Sequence, residues 1–130
     1  MVDVNSERRT ERRLRYYWPI WFAEDFSDTL SQGHMVDISS SGAAFSCRSW
    51  ENCPHPGQRL TTRFSVPQFE SEEGFNLASF TRSARVCRVD NVSDHVRKVA
   101  IQFAQPLPFR PGEQSENISQ TEEMLRNTIV

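Results

Sequence analysis

"PGQRLTTRFSVP" (residues 56–67) is the stretch on which the fold turns. It opens on a Pro-Gly turn and then alternates, with Leu60, Thr62, Phe64 and Val66 facing one way and Thr61, Arg63 and Ser65 the other. Successive side chains of a strand leave opposite faces, so this pattern predicts a strand half buried against a core. Outward from it the pattern recurs. "LASFTRSARVCRVD" (77–90) and "VRKVAIQF" (96–103) predict two further strands around the loop "NVSDH", the second facing inward with Val99, Ile101 and Phe103. Upstream, "GHMVDIS" (33–39) and "GAAFSCR" (42–48) predict two short strands joined by a Ser/Gly turn, where Gly42 is free to take a positive φ. Residues 16–22 predict the first strand. Pro19 within it has no N–H to donate, which argues for an edge position or a bulge.

The segment 104–114, with Pro106, Pro108 and Pro111, reads as a crossing loop, and "ESEEG" (70–74) as an exposed acidic one. In "SQTEEMLRNTIV" (119–130), Ser119 and Glu122 have capping-box spacing, and Thr121, Leu125 and Ile129 share a helical face. Six strands with short turns and one late helix predict a mainly β protein. The expected architecture is a small six-stranded antiparallel β-barrel with a C-terminal α-helix over one opening or edge. The 130 residues make one domain. Within it, 1–14 is expected to be a flexible N-terminal arm and 15–130 the barrel with its helix.

The formal net charge is −2, yet five arginines (Arg8, Arg9, Arg12, Arg13, Arg15) crowd residues 8–15, while Glu113, Glu116, Glu122 and Glu123 gather near the other end. A mildly acidic chain with one basic segment suits a discrete anionic ligand better than a tract of DNA or RNA. Lys98 is the one lysine, so nearly every cation is a guanidinium, with its planar fork of donors and a face that stacks. Cys47, Cys53 and Cys87 show no CxxC spacing, and His34, His55 and His95 stand apart, so no metal or cofactor is expected. Neither a nucleophile–base pair nor a Gly-rich phosphate loop nor HExxH is apparent, and the chain is not read as an enzyme. Tyr16, Tyr17, Trp18, Trp21 and Phe22 are expected in the core and at the barrel edge, with one of them able to face a ligand. Arg82, Arg85 and Arg88 are expected in solvent, one of them available to a phosphate. The charged N-terminus and the lack of a long apolar run predict a cytoplasmic location with no membrane insertion.

Two motifs stand together on this pattern. The arm carries R-x-x-x-R spacing at Arg9 and Arg13, with Arg8 before it. Asp37, Ser39 and Gly42 follow in D-x-S-x-x-G spacing, in "DISSSG". In that order, ahead of an alternating strand after "PG" and a late "AIQF" strand, they resemble the PilZ domain, a family that binds cyclic di-GMP. The resemblance covers roughly residues 7–128. Ala100 departs from the glycine that many members carry in the late strand.

The resemblance implies a cyclic di-GMP site made of Arg9, Arg13, Asp37, Ser39 and Gly42. Arg8, in the place just before the first motif arginine, implies a ligand bound as an intercalated dimer. Arg8 and Arg12 have the same spacing as Arg9 and Arg13, so the frame has two readings. The residue types suit the ligand. A bidentate guanidinium matches guanine O6 and N7, a pairing that discriminates by about 1–3 kcal/mol. Asp37 is fit to accept from N1–H and the N2 amine, and Ser39 to donate to phosphate. Gly42 lets the backbone approach closely. The expected mechanism is a mobile arm ordered by nucleotide, signalling in trans through an unidentified protein effector. A PilZ-fold interaction module that binds no nucleotide is the alternative.

Overall fold

A computed structural model of the chain describes residues 11–25, 29–49, 52–71 and 74–114, together with Glu122 and Leu125. Its strands are β1 (Leu14–Arg15), β2 (Pro19–Ala23), β3 (Ser31–Ile38), β4 (Gly42–Arg48), β5 (Arg59–Ser71), β6 (Gly74–Asn91) and β7 (Val96–Phe103). All neighbouring pairs are antiparallel, in the order β3-β2-β5-β6-β7-β4, and β4 returns to β3 to close a six-stranded barrel. β1 is an extra strand laid on the far end of β3, with Leu14 opposite Ile38 and Arg15 opposite Asp37.

Leu60, Thr62, Phe64 and Val66 of β5 are all buried, as are Val99, Ile101 and Phe103 of β7, so the alternation marks the inner face correctly. Aromatic rings fill much of that interior. Phe64 stacks on Phe103 with centroids 5.4 Å apart, and Phe22 packs on Phe45 at 5.0 Å.

The first strand differs from expectation. Leu14, Tyr16, Trp18, Ile20 and Phe22 are buried in strict alternation, but the ladder is interrupted at 16–18. Among the described residues, the Met35 N–H, donating to the Trp18 carbonyl at 2.9 Å, is the backbone bond that ties that gap to β3. Pro19 does not lie on an edge, because β2 has β3 on one side and β5 on the other. It is the first residue of β2, and pairing with β5 begins one residue later, at Ile20 and Phe64, so the missing N–H leaves no ladder bond unmade.

The β5–β6 hairpin runs further than the acidic sequence 70–74 suggests. Phe69 and Phe75 are cross-strand partners with rings edge to face at 5.6 Å, and this apolar pair carries the ladder to Ser71 and Gly74 past a register shift. Beyond β7, a 3-10 turn at Pro111–Glu113 lies against β1. Glu122 and Leu125 are helical and buried. The rest of the predicted C-terminal helix lies outside the described residues, as do Arg8 and Arg9.

Candidate functional site

A β-bulge aims the acidic residue of the motif. Gly33 and Met35 point into the barrel, and strict alternation would send Asp37 inward after them. The β3–β4 register shifts between Met35 and Asp37, which inserts one residue and reverses the phase. Ile38 then fills the core and Asp37 emerges on the outer face.

Across from it, Leu14 is buried in β1, so Arg13 and Arg15 on either side project outward. The Arg13 guanidinium donates from Nη1 to Asp37 Oδ1 at 2.7 Å, with side chains 28% and 19% exposed. This is a short, charge-assisted bond at a half-dry surface. Arg15 turns to the other end of the chain. Its Nη2 donates to Glu122 Oε1 at 2.9 Å, and its backbone N–H donates to Glu122 Oε2 at 2.9 Å. Burial pushes the Glu122 carboxyl up, but the side-chain and backbone donors of Arg15 outweigh it and hold the group below the ordinary glutamate range. The same bond raises the Arg15 pKa.

Ser39 and Gly42 are brought to the same turn with roles of their own. Ser39 is 4% exposed. Its N–H donates to the Gly42 carbonyl at 2.8 Å, and its hydroxyl oxygen accepts from the N–H groups of Ser41 at 3.3 Å and Gly42 at 3.2 Å. Ser39 therefore braces the turn from within. The expected freedom of Gly42 to take a positive φ is not used: among the described residues positive φ occurs at Asn52 and Gly57. Glycine is needed at 42 because any Cβ would strike the Ile101 carbonyl oxygen of β7.

Residues 11–13 belong to the predicted arm, yet they are docked on the barrel. The Glu11 carboxylate accepts from the Ser40 N–H at 2.7 Å and from the Ser40 hydroxyl at 2.6 Å. The Arg12 N–H donates to Glu113 Oε2 at 2.9 Å, and this donor keeps the Glu113 carboxyl below its ordinary range. Gly112 lies so close beneath that a Cβ there would meet the backbone of Arg12 and Arg13. The Arg12 side chain is exposed. No motif in the sequence marks Glu11, Ser40, Glu113 or Glu122 as site residues. The signal for two of them was the acidic stretch 113–123, opposite in sign to the arginine run.

Of the first-strand aromatics, Tyr16, Trp18 and Phe22 are core residues, whereas Tyr17 is 56% exposed and shares the outward side of Arg13 and Arg15. Arg82 is not a free cation. It donates to the carbonyls of Gln105 at 3.1 Å and Pro106 at 3.4 Å and lies over the Phe80 ring, clamping the crossing loop. Arg88 pairs with Asp90 at 2.9 Å. Cys47 and Cys53 are buried with sulfurs 3.1 Å apart, and Cys87 is exposed. Among the described residues no three His, Cys, Asp or Glu side chains cluster as metal ligands, and no helix is long and apolar enough to cross a membrane. An open cleft of about 440 Å³ beside Phe22, Ser31 and Cys53 lies at the opposite end of β3 from Asp37.

The fold is similar to that of the Bacillus subtilis inhibitor of motility MotI/DgrA, at TM-score 0.62 and 16% identity over 94% of this chain and 54% of that one. It is also similar to Borreliella burgdorferi PlzA, solved in complex with c-di-GMP, at TM-score 0.52 and 10% identity over 98% of this chain and 57% of that one. The chain thus spans little more than half the length of either protein. No curated protein matches it. The PilZ domain family model matches residues 7–119, taking in the arginine run, the barrel and the crossing loop together. By that match, the chain belongs to the PilZ domain family.

Proposed function

We propose that this chain is a receptor for cyclic di-GMP, without enzymatic activity of its own, that passes the signal to a protein partner in trans. The Arg13–Asp37 bond of 2.7 Å carries the reading. A guanidinium and a carboxylate in contact, half buried and facing outward, present the two polarities that a guanine edge takes up. Guanine offers acceptors at O6 and N7 to an arginine, and donors at N1 and N2 to a carboxylate. A guanine entering the site replaces one ion pair by two complementary sets of bonds, so neither charge is left buried and unpaired. Adenine lacks that arrangement of donors and acceptors. PlzA, whose fold is similar, is known with c-di-GMP bound, which supports the choice of ligand.

The contact of Arg13 with Asp37 favours the Arg9/Arg13 frame over Arg8/Arg12. In this reading Arg9 joins Arg13 on the ligand, and Arg8 brings a second nucleotide of an intercalated dimer. Ser39 and Gly42 act by shaping the turn that presents Asp37. Rearrangement of the arm then builds the surface read by the effector.

Calorimetric titration with cyclic di-GMP tests this. Binding at micromolar concentration is expected, with about two nucleotides per chain if Arg8 acts as proposed. Absence of binding heat would leave the alternative, an interaction module that takes no nucleotide. A ratio near one would remove the role given to Arg8 alone.

A further inference from the structure

The turn from Ser39 to Gly42 has four backbone N–H groups, and three of them are spent inside it. Ser39 donates to the Gly42 carbonyl, and Ser41 and Gly42 donate to the Ser39 hydroxyl oxygen. The fourth, on Ser40, leaves the turn and meets Glu11 at 2.7 Å, beside the Ser40 hydroxyl that meets the other Glu11 oxygen at 2.6 Å. A converging N–H and O–H facing an anionic group make a small oxyanion seat. It lies three residues from Asp37, and its occupant is two residues from Arg13.

Resting on the cyclic di-GMP reading, we infer that the Ser40 N–H and hydroxyl are a phosphate seat of the site. Glu11 is its tethered occupant, and the nucleotide must evict it. The carboxylate offers two oxygens and one negative charge, as a phosphodiester does. Both cannot hold the seat, and the expelled charge repels the incoming one. The contact that eviction of Glu11 breaks ties the arm to the turn two residues before Arg13, so seating a phosphate and releasing that part of the arm become one event. Glu11 thereby sets the threshold concentration at which the receptor responds.

Glu11→Gln keeps the shape of the side chain and removes its charge, and Glu11→Ala empties the seat. By calorimetry, both variants are expected to bind cyclic di-GMP about tenfold more tightly than the unaltered chain. Unchanged or weaker binding would overturn the inference and make Glu11 a residue that positions Arg13. If no version of the chain binds the nucleotide, the receptor reading fails, and the seat is then decided with inorganic phosphate. In Glu11→Ala the Ser40 amide resonance is expected to shift on adding phosphate, with no such shift in the unaltered chain. No shift in Glu11→Ala, or equal shifts in both proteins, would overturn it.

Discussion

Arg15 is the backbone partner of Asp37 across the β1–β3 ladder, yet it is Arg13 that reaches the Asp37 carboxylate. Arg13, just before β1, and Arg15 within it leave on the same side and separate, Arg13 to Asp37 of β3 and Arg15 to Glu122. One cation thus belongs to the candidate site and the other to the latch on the end of the chain.

Removing the first should therefore spare the fold. Arg13→Ala and Asp37→Ala break a partly exposed ion pair, which contributes at most about 1 kcal/mol to stability. Both variants should melt close to the unaltered chain while binding cyclic di-GMP about a hundredfold more weakly, a loss in the range expected when a charged hydrogen-bonding group is removed from a ligand contact. Calorimetry beside thermal melting checks it. Retained affinity in both variants would show that the site lies elsewhere.

Gly42→Ala should behave in the opposite way. Its methyl group meets the Ile101 carbonyl where β4 and β7 join, and backbone on both sides has little room to yield. A destabilisation of about 1–3 kcal/mol is expected in urea unfolding, the usual range for overpacking. An unchanged midpoint would mean that the two strands part more easily than their ladder suggests.

Tyr16 is buried and its hydroxyl donates to the Ser65 carbonyl at 2.9 Å, while burial pushes its pKa well up. Tyr16→Phe keeps the ring and leaves the carbonyl without that donor, so a loss of about 1 kcal/mol is expected. The same unfolding measurement checks it, and a change near zero would mean that the carbonyl finds another donor.

The Arg15–Glu122 bond gives the latch a pH dependence. Because the folded-state pKa of Glu122 lies below its ordinary value of 4.5, the bond stabilises the fold fully above that value. The contribution is lost as the pH falls through the lowered pKa. Carboxyl titration by NMR should find Glu122 below the ordinary value, and higher in Arg15→Ala, where burial persists without the guanidinium. No difference between the two proteins would refute the assigned cause.

Tyr17 tests whether an aromatic contributes to the ligand. It stands outward beside the arginines, and base stacking contributes about 1–3 kcal/mol where it occurs. Tyr17→Ala should weaken binding at least about tenfold and Tyr17→Phe hardly at all. Equal affinities would confine Tyr17 to the surface.

Strands were legible wherever one face is buried, since period-two alternation is a direct record of that burial. β7 runs over the predicted residues 96–103, and β5 shows its inner face in Leu60, Thr62, Phe64 and Val66. The hairpin tip is not legible in the same way, because its glutamates conceal the Phe69–Phe75 pair. The motif brought Arg13 and Asp37 into view, but the bulge that turns Asp37 outward has no local signature in "HMVDIS". The partners of the arm were harder still. Glu113 and Glu122 lie about a hundred residues from Arg12 and Arg15, and only closure of the barrel brings them together. Glu11 sat among the arginines and read as one more charge in a run.

The β4–β7 ladder has a consequence for how the protein comes into being. It joins segments roughly fifty to sixty residues apart, from Gly42 opposite Gln102 to Arg48 opposite Val96, and such distant pairings form late because a long loop must first be closed. The Ser41 carbonyl accepts from the Phe103 N–H, and Ser40 is tied to Leu107 in the same way. A nascent chain that has reached β6 already contains Arg13, Asp37 and Ser39, but not the wall against which their turn is shaped. The turn that carries the candidate site thus takes its final shape at the end of folding, and a chain caught short of β7 lacks it.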